Sequence, residues 1–444
     1  MNLAGKRTLI LGAGVTGTAV AKILEELGAH VFLADEKPLP DFASHPISDL
    51  ENLDYDLAVI SPGWKPDHPL ITALSKAKVP VTSELDLAWD FRNLHNPNQK
   101  WVAITGTNGK TTTTELTAAM LNSAGFNAKA CGNVGTTVIE SVWSRDNYQV
   151  LVIELSSFQI HWMQRAEFEA AAILNIADDH IDWHGSFEAY TAAKVKVLEF
   201  SKLAIINGQD RNLVSATEAF AKQRHLFTLD TPAPGELGLV EDLLVDRAFT
   251  ISPNEAGALC ELRDVQPTVP HAVANTLAAA ALARSLGADY EAIQNAVKSF
   301  KPGRHRIELV LEQDGVKWIN DSKATNPHAA KAALFANESS IWIAGGLAKG
   351  AKFSELIADC ASRIKCALLI GRDRELIAVE LKKRNIEFFV VDGEPLMEQV
   401  VLKAKELATP GDTVLLAPAC ASMDQFKNYS DRGDQFAEAV KRLV

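Results

Sequence analysis

The chain has 444 residues, 47% of them hydrophobic and 23% charged, with a formal net charge of −12. That length exceeds one ordinary core and implies two to four domains, while the acidic balance argues against nucleic acid or an anionic membrane as partner, so an anionic ligand must be held by local lysines, arginines, helix ends or metal. Five scattered cysteines (Cys131, Cys260, Cys360, Cys366, Cys420) without a CxxC spacing, and no apolar run approaching a membrane span, lead us to expect a cytoplasmic protein without structural zinc.

An apolar strand over residues 6–11 runs into Gly12-Ala13-Gly14-Val15-Thr16-Gly17, a helix to about residue 27, a second strand over 30–34, and Asp35. Taken alone this is a dinucleotide fingerprint: a glycine turn, a helix N-terminus for a pyrophosphate and a carboxylate for a ribose. A lone GxGxxG is weak evidence for NAD. A strand over 55–60 followed by Ser61-Pro62-Gly63 closes a small sheet near residue 85, and a Rossmann-like domain for another uridine- or adenine-type diphosphate fits at least as well. Residues 93–100, rich in Asn and Pro, read as the linker out of this domain.

Residues 101–114, WVAITGTNGKTTTT, begin as a strand and break at Gly106. Gly106 and Gly109 let the backbone turn tightly and present its N–H groups, and Lys110 starts a helix whose positive end faces the same spot. This is a phosphate cradle: Lys110 reaches for β/γ-phosphates and the Thr111 hydroxyl for Mg²⁺. It departs from the usual loop in having only Thr107 and Asn108 between Gly106 and the Gly109-Lys110 pair. A strand over 149–154 then puts Glu154 at its carboxyl end, as a Mg²⁺ ligand or water-holder; a helix N-cap carboxylate is the bland alternative. Beyond a strand over 170–175, Asp178-Asp179-His180-Ile181-Asp182-Trp183-His184 suits hard-cation and phosphate chemistry. The next helix, about 186–200, carries Lys194 and Lys196, which on spacing alone are solvated charges.

Residues 207–238 are poorly patterned. From Pro270 an Ala-rich helix sets His271 and Asn275 on one face, and residues 300–304 mark a boundary. Strands near 306–311 and 316–320 lead to Asp321-Ser322-Lys323-Ala324-Thr325-Asn326-Pro327, polar residues too dense at a strand end for packing alone. Strands over 341–344, 367–370, 388–391 and 413–417 complete another sheet, with polar loops at 345–349 and 420–432. The expected fold is α/β with three domains: residues 1–95, Rossmann-like; 96–302, a P-loop ATPase-like parallel sheet; and 303–444, Rossmann-like.

With these residues laid out, the chain resembles, over essentially its whole length, the Mur ligase family of ATP-dependent amide-forming enzymes of peptidoglycan assembly. Thr105-Gly106-Thr107-Asn108-Gly109-Lys110-Thr111, Glu154-Leu155-Ser156-Ser157, Asp179-His180 with Lys194, the helix from His271 to Asn275 and Arg306 would fit any member. Residues 321–326, and 418–429 with Arg432-Gly433, match the member that adds D-glutamate.

The resemblance implies ATP, UDP-N-acetylmuramoyl-L-alanine and D-glutamate as substrates, two Mg²⁺ sites and a monomer. It assigns ATP to Gly106, Thr107, Asn108, Gly109, Lys110, Thr111, Thr112, Asn275, Arg306 and Asp321. Metal falls to Thr111, Glu154, His180 and a Lys194 carbamylated by CO₂, and catalysis to Lys110, His180 and Lys194. The amino acid and the UDP-sugar fall to Val15, Thr16, Lys37, Asn133, Ser156, Lys323, Thr325, Lys349, Ser422 and Tyr429. Two departures stand out: His271-Ala272 replaces the usual His-Asn pair at the adenine, and Glu36-Lys37 replaces an expected hydroxyl-plus-arginine pair at the uracil. The rival readings are a sibling ligase of the folylpolyglutamate synthase type, an NAD(P)-dependent oxidoreductase resting on Gly12 to Gly17, and a non-catalytic nucleotide-binding regulator. The oxidoreductase leaves Lys110, Glu154 and His180 without a task.

Overall fold

A computed structural model describes residues 3–36, 44–50, 52–220 and 223–444. Three sheets follow one another along the chain. In the first, the order is His45–Pro46, His30–Asp35, Arg7–Leu11, Leu57–Ile60, Val81–Ser83, and every pair is parallel. Strands are added on one side of Arg7–Leu11 and then on the other, which makes its carboxyl end a topological switch point. Gly17, in the helix Val15–Glu26, packs so closely that a Cβ there would lie 1.7 Å from the Gly12 carbonyl oxygen.

Among the described residues the second sheet has nine strands. Lys100–Thr105 lies between Val150–Glu154 and Phe168–Ile173, parallel to both. The poorly patterned stretch continues the parallel set with Ser201–Asn207, Gln223–Phe227 and Glu236–Val240, and then turns antiparallel through Leu243–Asp246 and Gly257–Glu261. The helix Pro270–Ser285 is buried from Thr276 through Ala283, because its alanines give it no polar face. It shares a core with Val102, Ile104, Leu116, Met120 and Leu121.

The third sheet runs Glu308–Gln313, Val316–Asn320, Thr413–Leu416, Ser340–Gly345, Ile364–Ile370, Phe388–Val390, antiparallel only at its first pair. Separate cores cover its two faces, one around Trp342 and Leu369 and the other around Trp318 and Phe436.

By packing, the chain forms two compact units: residues 1–176 with 183–300, and residues 177–182 with 301–444. The first two sheets therefore share a unit, and buried carboxylates of the helix Glu84–His95 join them. Asp86, fully buried, accepts from the backbone N–H groups of Gln164, Arg165 and Ala166 at 3.0, 2.7 and 3.3 Å. Glu84 accepts from Ile139 N–H at 2.7 Å, and burial pushes its carboxyl up to about 7. Lys196 is no solvated charge: its Nζ donates to the carbonyls of His161 and Met163, each at 2.8 Å.

Candidate active site

The cradle forms where the strand Lys100–Thr105 gives way to the helix Lys110–Ser123. Gly109 precedes the helix at φ +86, and a Cβ there would lie 2.4 Å from Asn275 Oδ1, so glycine is required both by conformation and by space. One side-chain amide clamps the loop: Asn175 Oδ1 accepts from Asn108 N–H at 2.9 Å and its Nδ2 donates to the Asn108 carbonyl at 3.0 Å. Thr107 N–H donates to the Asn175 carbonyl at 2.9 Å. The loop is thus held open for an anion at the first-turn N–H groups, which have no intrahelical acceptors.

The run of threonines divides by role. Thr113 and Thr114 hydroxyls turn back onto the carbonyls of Gly109 and Lys110 at 3.0 and 2.9 Å. Among the described residues, Thr111 and Thr112 make no such bond and stay half-exposed at the mouth of the loop. Lys110 Nζ donates to the carbonyls of Gly106 and Thr107 at 2.9 and 3.0 Å.

Lys194, which spacing alone marks as solvated, is only 2% exposed. Its Nζ donates to the Gly106 carbonyl at 2.9 Å and lies 4.8 Å from the centre of the Tyr190 ring. The Tyr190 hydroxyl in turn meets Thr107 Oγ1 at 3.0 Å. Neither Tyr190 nor Asn175 stands out in the sequence, since one reads as core and the other as the end of a strand.

Glu154 is buried at the carboxyl end of its strand, and Asn133 Nδ2 donates to its Oε1 at 2.9 Å. Gly132 allows that approach, because a Cβ on it would lie 2.3 Å from the Glu154 carbonyl oxygen. Glu154 at the neighbouring strand end and Thr111 at the helix start offer only oxygen donors, a chemistry that suits Mg²⁺ and not a thiophilic metal. Ser156 caps the helix Ser157–Trp162 in a reciprocal pair with Gln159.

Around the first sheet, Asp35 Oδ2 accepts from Ala13 N–H at 2.7 Å, so this carboxylate fixes the glycine turn itself. Val15 is 72% exposed at the start of its helix, and Thr16 follows it. Glu36 Oε1 lies 3.2 Å from His68 Nε2. Because His68 Nδ1 accepts from Leu70 N–H, the proton of the neutral ring sits on Nε2 and donates to Glu36. Lys37 lies outside the described residues.

The second unit contains the other expected site residues. His180, at φ +54, belongs to it, and its backbone N–H donates to Asp179 Oδ1 at 3.0 Å. Asp321 is buried and accepts from Ile307 N–H at 3.2 Å; burial pushes its carboxyl up to about 7 against the opposing pull of that bond and of Arg306.

Arg432 is fully buried and joins two loops: Nε and an Nη donate to Ser322 Oγ and the Ser322 carbonyl, both at 2.9 Å, and the other Nη to the Cys420 carbonyl at 3.2 Å. Burial lowers its guanidinium to about 10. Backbone bonds between Leu347 and Ala421, 2.8 and 3.0 Å, tie in the loop that carries Lys349. The positions of Lys323, Thr325, Lys349 and Ser422 are therefore fixed by one connected set of loops. Lys323 Nζ lies 4.0 Å from the centre of the Tyr429 ring. The sequence singles out Arg432 as a matching residue but not as this strut.

Residues 104–283 match the model of the Mur ligase middle domain, and residues 305–420 that of the Mur ligase glutamate ligase domain. The chain is 46% identical to the UDP-N-acetylmuramoylalanine--D-glutamate ligase of Streptomyces coelicolor, covering 99% of this chain and 98% of that one. It is 45% identical to the enzyme of the same name from Thermobifida fusca, over the whole of both. Among solved structures, the UDP-N-acetylmuramate-alanine ligase of Thermotoga maritima superposes with a TM-score of 0.60 at 19% identity, covering 99% of this chain and 100% of that one. A D-alanyl-D-alanyl-adding ligase from Acinetobacter baumannii gives 0.61 at 16%, covering 99% and 91%.

Proposed function

The chain belongs to the Mur ligase family, and from that premise we propose that it joins D-glutamate to UDP-N-acetylmuramoyl-L-alanine with conversion of ATP to ADP and phosphate. The observation that carries this reading is the anion cradle of Gly106 to Thr111, with two lysines on its inner carbonyl and the buried Glu154 carboxylate at the neighbouring strand end.

The alanyl carboxylate attacks the γ-phosphorus in line, ADP leaves, and an acyl phosphate forms. Two anions must meet for this step. Lys110 and the first-turn N–H groups of its helix offset the charge on the phosphates, and Asn175 holds the loop in shape beforehand, so no reorganisation is needed at the moment of reaction. The D-glutamate amine then attacks the acyl carbon, inorganic phosphate departs, and the amine proton passes to a base, for which His180 and the carboxylates beside it are the proposed acceptors.

Asn275, Arg306 and Asp321 are proposed to bind the nucleotide. Lys323, Thr325, Lys349, Ser422 and Tyr429 would bind D-glutamate, and Val15, Thr16, Lys37, Asn133 and Ser156 the UDP-sugar. Thr111 and Glu154 would hold one Mg²⁺, and His180 with a carbamylated Lys194 a second. When bound, these ions supply charge neutralisation at the transferring phosphoryl group. Among the described residues no helix is long and apolar enough to cross a membrane. From the family alone we propose that the protein works in the cytoplasm, as a monomer, in peptidoglycan precursor synthesis.

The test is phosphate release from ATP with UDP-N-acetylmuramoyl-L-alanine and D-glutamate, L-glutamate or no amino acid. Release with D-glutamate alone is expected; equal release in all three, or none, would exclude the proposal.

A further inference from the structure

The carboxyl end of the strand Leu57–Ile60 carries Ser61-Pro62-Gly63-Trp64, beside the Gly12 turn at the switch point of the first sheet. Ser61 Oγ donates to the Gly12 carbonyl at 3.3 Å, and a Cβ on Gly12 would lie 2.6 Å from Ser61 Oγ. In an open parallel sheet a ligand lies against such paired loops. Two tryptophans of the neighbouring sheet hold this loop by successive carbonyls: Trp183 Nε1 donates to Gly63 at 3.2 Å, and Trp162 Nε1 to Trp64 at 3.1 Å.

Both indoles sit on or against the short helix that follows Glu154. Trp162 ends the helix Ser157–Trp162, which two residues of chain separate from Glu154. Trp183 packs on Phe158 of that helix, ring centres 4.8 Å apart, and adjoins His184, whose Nε2 meets Ser157 Oγ at 2.9 Å. His161 sets its ring edge-on to both indoles, at 5.3 and 5.1 Å. The same short helix thus follows a proposed metal carboxylate at one end and grips the other substrate's loop at its other end.

We propose that Trp162 and Trp183 are positioning residues for the UDP-sugar: their N–H groups set the loop of residues 61–64 at the height that brings the substrate carboxylate in line with the γ-phosphate. This rests on the substrate assigned above. Neither indole touches a reacting atom; each acts through a backbone carbonyl, and the aromatic packing around His161 fixes the ring that bears the donor.

The experiment compares the full-length chain with Trp162→Phe, Trp183→Phe and the double variant, since phenylalanine keeps an apolar ring and deletes the donor. Trp101→Phe is the matched control, because Trp101 Nε1 spends its proton on Gln99 Oε1, 2.9 Å away in the core and remote from the loop. Each single variant is expected to raise KM for UDP-N-acetylmuramoyl-L-alanine roughly five- to tenfold, with KM for ATP unchanged, and to weaken UDP binding by calorimetry by the same factor. The control should lose thermal stability without that selective change.

Unchanged KM for the UDP-sugar in the double variant would overturn the inference, as would an equal rise in both KM values accompanied by a fall in Tm, the mark of a structural role alone. If the unaltered chain bound no UDP, the substrate reading itself would fail, an outcome distinct from either.

Discussion

Lys110 and Lys194 end on the same oxygen: each Nζ donates to the Gly106 carbonyl at 2.9 Å. Two ammoniums facing each other across one acceptor repel, and burial sharpens the repulsion. The proposed carbamylation of Lys194 would remove it, turning one of the two cations into an anion that keeps a single N–H for the carbonyl. Lys194→Ala is therefore expected to lower kcat by at least about 100-fold, in the range of a lost catalytic group. In the unaltered protein, ¹³C-labelled bicarbonate should give a carbamate resonance that this variant lacks; its presence in both would remove Lys194 from that role.

Gly109 and Gly125 offer a controlled comparison. Both have φ near +86, but a Cβ on Gly109 would meet Asn275 Oδ1, while one on Gly125 meets nothing within 4 Å. Substituting alanine at either should cost about 1–2 kcal/mol of stability through the left-handed backbone. Only Gly109→Ala should raise KM for ATP, by about tenfold or more, a difference that thermal melts and steady-state kinetics on the two variants will resolve.

Arg432 carries a positive charge into a fully buried position to make three bonds to two loops. Lysine keeps the charge but cannot reproduce the fork. Arg432→Lys is expected to raise KM for D-glutamate several-fold and KM for ATP by a smaller factor, checked by steady-state kinetics in both substrates.

Stability should fall as pH rises from about 4.5 to neutrality. Burial raises the Glu84 carboxyl from 4.5 to about 7, so the folded chain holds a proton that the unfolded chain has released between those values. Its contribution is fully present below pH 4.5 and is lost by about pH 7, on the order of 3 kcal/mol. Asp321 acts with the same sign over 3.8 to about 7. Glu84→Gln should flatten this part of the curve in denaturant titrations at pH 5.5 and 8; an unaltered slope would show that the charge is relieved elsewhere.

The turn from strand to helix at Gly106 to Lys110 was legible in the sequence because an apolar strand broken by glycines at 106 and 109 before Lys110 and a run of threonines fits little else. The three sheets were legible for a similar reason, since buried parallel strands are continuous apolar runs. Less could be read where meaning depends on a distant partner. Glu84 and Asp86 look like ordinary acids in the first turn of a helix, and only the backbone of residues 138–139 and 164–166 makes them buried acceptors. Lys196 was misread as solvated because the carbonyls it caps lie over thirty residues earlier. Residues 207–238 were opaque because their strands are short, mix buried and half-exposed positions, and carry a weak alternation.

The Asp86 carboxylate also bears on how this enzyme can be taken apart. Severing the chain at residues 96–99, between the first two sheets, and separating the pieces would strip three consecutive N–H groups at 164–166 of the buried carboxylate they share. Neither fragment is then a finished module. A chimera that borrows the amino-terminal sheet of a sibling ligase must carry over the Glu84–His95 helix and the turn it plugs together, as one exchangeable part.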